Sequence, residues 1–293
     1  MDITYQTNWV SNNKRRGAEK KDIVLKWIGC FDFCSIELLS ALLKQPVRHT
    51  HLFFQRLIAD GYLVRFKAEN LSRDDLVRIG YEGVAYLKDT YGIDVRNKMR
   101  SDELARRKKI FHDYCLQLYI AGLTAYDPPA SVLAEKSIVR GRRSKNRIPD
   151  GLIFSAPGAP QKWNVDAEVE LPEEISELRE TRLTFDSECF WVDYNAPVAV
   201  EIEISGKKKH EVIDIFRRLG KQMLEGKLSQ VRFIFADEAV CRRYLDYFTE
   251  TRWGPYAKVD LDHPLRRCFS FQVSDFSLEW LLMKEHYDVP DYV

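Results

Sequence analysis

Apolar positions recur along this chain in blocks, some at helical spacing and some in strict alternation, and the blocks fall into two groups. In the first group, Asp22 to Ile28 reads as a short amphipathic helix. Ser35 is placed to cap a second helix running to Leu43. Pro46 opens a third, which carries Arg48, His49, His51, Gln55 and Arg56 among apolar Leu52, Phe53, Leu57 and Ile58. Asp60-Gly61 stops that helix. Tyr62 to Phe66 and Leu76 to Ile79 then alternate as two strands around the polar stretch Lys67 to Asp75, and Tyr81 to Thr90 returns to a helical period.

This order of elements predicts a winged helix-turn-helix over residues 21–95, preceded by a basic segment over 1–20. Lys67 to Asp75 would be the wing and the third helix the reader of a DNA groove. Such modules also bind proteins, and basic residues on an exposed helix face are common, so both uses stay open.

Between Val95 and Asp102 the composition turns polar and charged, which sets a domain boundary there and a second domain over 100–293. Asp102 to Gly122 puts Leu104, Ile110, Phe111, Cys115, Leu118 and Tyr119 on one helical face, with His112 and Asp113 on its flank. After the break at Asp127-Pro128-Pro129, Ser131 to Val139 begins a sheet and Leu152 to Phe154 continues it. Trp163 to Glu170 alternates with Asp166, Glu168 and Glu170 on one side, the pattern of an edge strand whose acids are solvated. Leu171 to Thr184 is helix-like, and Phe190 to Tyr194 is an aromatic patch. Val198 to Ser205 is a strand, His210 to Leu224 a helix, Gln230 to Phe235 a strand, Asp237 to Thr251 a helix, Arg267 to Val273 a strand and Phe276 to Met283 a last helix. Strand-helix-strand connections of this kind predict a mixed sheet with at least one parallel pair, in an α+β or α/β domain.

Composition narrows the class. A chain of 293 residues with 45% hydrophobic and 30% charged content is that of an ordinary globular protein with room for two domains. There is no apolar run long enough to span a bilayer, and the first residues lack the apolar core of a signal peptide, so a cytoplasmic protein is expected. The six cysteines contain no Cys-x-x-Cys pair and are expected to be reduced packing residues. No Gly-rich phosphate loop is present, which speaks against an ATPase. The net charge of +1 conceals local basic density: Lys14 to Arg16 with Lys20 and Lys21, Arg106 to Lys109, and Arg140, Arg142, Arg143, Lys145 and Arg147 leading into Pro149-Asp150. The first two clusters are expected to be solvated faces. The third would bring positive charge to the lip of a carboxylate site and neutralise a phosphate backbone there.

That site is written in the strand Val198 to Ser205. Alternation sends Val198, Val200, Ile202 and Ile204 to one side and Ala199, Glu201, Glu203 and Ser205 to the other, so two carboxylates point the same way. If the strand after Asp150 pairs with this one, the Asp150 carboxylate joins that of Glu201. Oxygen ligands in such an array suit Mg²⁺ or Mn²⁺, with Glu135 in reach as a further ligand and Asp166 and Glu168 as substitutes for Glu201 and Glu203. Three carboxylates clustered without a cation would repel one another, which argues that the cluster has a use.

Pro149-Asp150, the triplet Glu201-Ile202-Glu203 and the lysines Lys207 and Lys208 ahead of a helix together resemble the PD-(D/E)XK nucleases, the restriction-endonuclease-like superfamily. Glu203 stands where that triplet normally has Lys, and the nearest lysines follow the strand. With a winged helix in front, the chain is similar to the replication-relaxation proteins and the MobC-type relaxases of mobilisable plasmids. The resemblance implies a restriction-endonuclease-like mixed-sheet domain and a metal-dependent endonuclease that nicks DNA at a plasmid transfer origin. Asp150 and Glu201 would hold the ion. Glu203 would be a ligand or base, and Lys207 or Lys208 would stabilise developing charge. DNA, duplex and single-stranded, is the implied partner, with an accessory mobilisation protein beside it. Nothing aims Tyr114, Tyr119 or Tyr194 at the acids, so water is the expected nucleophile. Two other functions fit the same residues: a DNA-binding regulator or assembly protein that has lost catalysis, and a transposon-end nuclease.

Overall fold

The computed structural model describes residues 3–69, 71, 73–95, 109–126, 131–135, 138–139, 146–154, 163–164, 196–251 and 268–276. Its architecture is α+β, and the chain divides into two compact units, residues 1–121 and 122–293. No helix among the described residues is long and apolar enough to cross a membrane.

The first unit comprises α1 (Ile3–Phe31), β1 (Phe33–Ser35), α2 (Ile36–Leu42), α3 (Val47–Ala59), β2 (Leu63–Arg65), β3 (Leu76–Ile79), α4 (Tyr81–Tyr91) and the start of α5 (Ile110–Tyr126). Its strands form an antiparallel sheet in the order β1-β3-β2. The side-chain oxygen of Ser35 accepts from Leu38 N at 3.0 Å, capping α2 as its position predicts. Val24, Leu25, Ile28, Phe33, Leu38, Leu39, Phe54, Leu76 and Leu87 fill the core. Gly61, at φ +76°, ends α3, and Gly80 passes so near that a Cβ there would lie 2.1 Å from the Gly61 carbonyl oxygen. Only glycine permits that crossing.

Three features differ from the sequence expectation. The first helix begins at Ile3 rather than Asp22, because Lys14, Arg15, Arg16, Ala18, Glu19, Lys20 and Lys21 are good helix formers although they show no apolar stripe. Arg15 and Glu19 pair across one turn at 3.5 Å. The small sheet has a third strand, β1, too short at three residues for alternation to reveal. The early turns of α5 belong to the first unit, past the boundary drawn at 95–102. Trp27 Nε1 donates to Gln117 Oε1 at 3.1 Å, the Ser35 and Tyr114 hydroxyls bond at 3.0 Å, and the Arg73 guanidinium sits over the Tyr114 ring at 5.4 Å.

The second unit is built on a five-stranded sheet made by β4 (Ser131–Ala134), β6 (Gly151–Phe154), β8 (Val198–Glu203), β9 (Gln230–Phe235) and β10 (Phe269–Val273), in the order β10-β9-β8-β6-β4. Strand β6 runs antiparallel to both β4 and β8, whereas β9 is parallel to β8 and β10 to β9. The parallel steps are made by α6 (Lys209–Leu224) and α7 (Glu238–Glu250). In α6 Val212, Ile215, Phe216, Leu219 and Met223 recur at helical spacing and are buried. In α7 Val240, Cys241, Tyr244 and Phe248 do the same, behind an N-cap in which Asp237 Oδ1 accepts from Val240 N at 2.9 Å. These side chains meet Leu152, Phe154, Ala199, Val231, Phe233, Phe235 and Phe269 in one core, where Phe233, Phe235 and Phe271 lie nearly parallel at centroid separations of 5.6 to 6.3 Å.

The stretch Ser131 to Val139 is not one strand. β4 ends at Ala134, and β5 (Ile138–Val139) pairs in parallel with β7 (Trp163–Asn164) in a separate two-stranded sheet. Arg140, Arg142, Arg143, Lys145, Asp166, Glu168, Glu170, the acidic stretch 171–184 and the aromatic patch with Tyr194 lie outside the described residues, as does the last expected helix beyond Phe276.

Candidate functional site

The antiparallel register of β6 and β8 sets Gly151 opposite Val200 and Leu152 opposite Ala199, and one step back it brings Asp150 across from Glu201. On the other side of β8, Glu201 pairs with Phe233 and Glu203 with Phe235. The two glutamates therefore share their sheet face with Ala199 and the phenylalanines, the face packed by α6 and α7. Alternation along β8 does not separate core from solvent. Both faces are covered, and Glu201, Glu203 and Asp150 are only 0%, 2% and 5% exposed.

Buried carboxylates need partners, and these have them. Arg147 grips Glu201 with both arms of its guanidinium, Nε to Oε1 at 3.1 Å and Nη2 to Oε2 at 2.9 Å. Lys207 pairs with Glu203. Asp150 Oδ2 accepts from the backbone N–H of Ile202 at 2.9 Å, which ties the Pro-Asp turn to the middle of β8. The cluster thus carries its own cations. Mutual repulsion of the acids, an argument drawn from the sequence, is offset by Arg147 and Lys207.

The balance is incomplete. Burial, and then the Asp150 carboxylate beside it, push Glu201 up to about 7 against the opposing pull of Arg147. Burial also raises Glu203, with Lys207 working the other way. For Arg147 burial acts to lower the pKa, but Glu201, Asp150 and Glu135 outweigh it and the net shift is upward.

Surrounding residues fix this arrangement. Glu135, just past β4, donates its backbone N–H to the Asp150 carbonyl at 2.9 Å, and its charge is felt at Arg147. Gln222 on α6 donates Nε2 to the Arg147 carbonyl at 2.9 Å, while its own Oε1 is buried with no partner among the described residues. The Tyr244 hydroxyl is buried next to Glu203 and likewise has no hydrogen bond of normal geometry. Burial first, and the Glu203 charge second, raise its pKa. The two lysines are not equivalent. Lys207 reaches the cluster, whereas the Lys208 backbone N–H is bonded by Glu211 Oε2 at 2.9 Å at the head of α6 and its side chain is exposed. Arg243 of α7, also exposed, lies against the connecting loop, its Nη2 2.9 Å from where a Cβ on Gly206 would be.

The sequence pointed to neither Gln222 nor Tyr244. Each is a polar group on the otherwise apolar face of an amphipathic helix, which was the available signal.

In the first unit, α3 turns Arg48, His49, His51, Gln55 and Arg56 outward, with Leu52 at 66% exposure among them. Gln55 Nε2 and His51 Nε2 are 3.3 Å apart. Five of the six cysteines fall among the described residues, Cys34, Cys115 and Cys241 buried and Cys30 and Cys268 partly buried.

No group of three or more His, Cys, Asp or Glu side chains among the described residues is arranged to hold a metal ion. Mg²⁺, however, is commonly held by one or two carboxylates, with water and substrate phosphate completing the shell. Asp150 and Glu201, hard oxygen donors brought side by side from adjoining strands, fit that requirement. Comparison with protein-family models, with curated proteins and with solved structures finds nothing that matches this chain.

Proposed function

We propose that this protein is a metal-dependent DNA endonuclease of restriction-endonuclease-like design, which nicks one strand at a site located by an N-terminal winged helix, as in a plasmid mobilisation relaxase. The observation that carries the proposal is the convergence of Asp150, from the head of β6, on Glu201 and Glu203 of β8, with Lys207 on the same cluster and α6 directly after it. The order of the Pro-Asp pair, the acidic triplet, a lysine and a helix around one mixed sheet supports the resemblance seen in the sequence. In the first unit, the succession α2, α3, β2, β3, α4 and the outward basic face of α3 support DNA recognition.

In the proposed reaction Asp150 and Glu201 hold Mg²⁺ or Mn²⁺, and Glu203 serves as a further ligand or as the base that takes a proton from the attacking water. When bound, the ion supplies polarisation of the scissile phosphate and a lowered pKa for that water. Lys207 offsets the charge that develops on the phosphate, and the basic run Arg140 to Arg147 holds the backbone. The test is incubation with supercoiled plasmid carrying the native locus, with Mg²⁺, Mn²⁺ or chelator. Open-circular product should form only with metal, and Asp150→Ala and Glu201→Ala should each abolish it while leaving gel-shift binding of duplex nearly intact. Cleavage by both variants at the wild-type rate would defeat the assignment.

A second proposal has one specific observation in its favour. Arg147 and Lys207 pair with the buried Glu201 and Glu203, so these acids have cations without a metal, as expected of a DNA-binding regulator or assembly protein that has lost catalysis. Duplex binding without metal-dependent nicking in the same assay would select it.

A further inference from the structure

Resting on the metal-dependent function proposed above, we infer that Arg147 is an exchangeable counter-ion: it holds the Glu201 carboxylate in the metal-free protein, yields it when a divalent cation binds, and turns to a DNA phosphate.

The geometry makes the two partners of Glu201 competitors. Arg147 engages both Glu201 oxygens, and Glu201 has no exposed surface by which a second cation could approach past the guanidinium. A divalent ion shared by Asp150 and Glu201 must bind a Glu201 oxygen that Arg147 already engages, so the two cations crowd one carboxylate. Replacing one cation by another also keeps the buried carboxylate compensated, so the exchange avoids the cost of a bare charge in the core.

The exchange requires only side-chain rotation. The Arg147 carbonyl is pinned to Gln222 of α6 at 2.9 Å, which fixes the backbone, while the side chain remains 31% exposed and opens to solvent. In the sequence Arg147 is also the last of the basic series Arg140, Arg142, Arg143, Lys145 and Arg147. Its planar fork matches two phosphate oxygens as well as it matches two carboxylate oxygens. By linkage, metal and DNA then help each other: the ion frees Arg147 for phosphate, and phosphate keeps Arg147 off Glu201.

Mn²⁺ binding to the full chain without DNA, followed by electron paramagnetic resonance or calorimetry at pH 7.5, separates this from a merely structural pair. Arg147→Gln, which cannot compete as a cation, should bind Mn²⁺ roughly tenfold more tightly than wild type. Arg147→Lys, which retains the charge with one contact, should fall between them and provides the comparison if the glutamine variant does not fold. In gel shifts, the gain in DNA affinity that Mn²⁺ gives the wild type should shrink in Arg147→Gln. Equal or weaker Mn²⁺ binding by both variants, with binding still lost in Asp150→Ala, would overturn the exchange and leave the metal site standing. No Mn²⁺ binding by wild type or variants would overturn the metal-dependent function itself.

Discussion

Glu201 should make the metal-free protein less stable as pH rises toward neutrality. Its carboxyl is raised from an ordinary 4.5 to about 7 by burial and by Asp150, so the folded state holds this proton more tightly than the unfolded chain does. The sign follows directly. The stabilising contribution is complete below about pH 4.5, falls as pH rises, and is gone above about 7. Shifting a carboxyl over that interval is worth on the order of 3 kcal/mol, at about 1.4 kcal/mol per pH unit. Glu201→Gln provides the reference. It removes the Glu201 titration, and the Arg147 it leaves behind stays charged throughout. Urea unfolding of wild type and variant in chelator, at intervals from pH 4.5 to 8, should give a difference in stability that moves against wild type by roughly 3 kcal/mol, most of it between about pH 5 and 7. Saturating Mg²⁺ should flatten or reverse that trend, since an ion at 100 times its Kd adds about 2.7 kcal/mol to the folded state. A wild-type minus variant difference that stays flat across this range in chelator would refute the electrostatic account of the cluster.

Two further outcomes distinguish neighbouring residues. Lys207→Ala should lower the nicking rate about a hundredfold, whereas Lys208→Ala should leave it nearly unchanged, because only Lys207 reaches Glu203; single-turnover rates on plasmid check this, and equal losses would remove the distinction. Replacing Arg48 and Arg56 on α3 should reduce preference for the native site more than general affinity, while replacing Arg140, Arg142, Arg143 and Lys145 together should weaken binding to all sequences and flatten its dependence on salt. Competition gel shifts at two ionic strengths measure both, and an unchanged site preference after the α3 substitutions would point to a protein partner for that helix.

The elements that show in the sequence are those whose signal is local. Alternation in Val198 to Ser205 located β8, the apolar run after Asp150 located β6, and the helical periods after Lys208 and Asp237 located α6 and α7. What stayed hidden depends on contacts across the chain. Arg147 reads in sequence as one more member of a phosphate-binding loop, and only its bond to a residue 54 positions away shows it as the partner of Glu201. The face of β8 bearing the acids reads as polar and therefore open, yet Phe233 and Phe235 on the neighbouring strand and the helices above them cover it. α1 extends to Ile3 through a run of good helix formers, which a search for apolar stripes passes over, and α5 joins the first unit through Gln117 and Tyr114, side chains that no periodicity singles out.

The parallel rings of Phe233, Phe235 and Phe271 bear on how far the cluster acts. They form a layer of low dielectric beside Glu201 and Glu203, and a charge flanked by such a layer is screened little on that side. Its field lines are driven instead through the polar side, where Arg147 and Lys207 reach solvent. The aromatic core thereby concentrates the potential of a few buried charges into one direction of approach. On the proposed function, a divalent cation would be guided along that direction before contact, over a range set by the ionic strength of the medium.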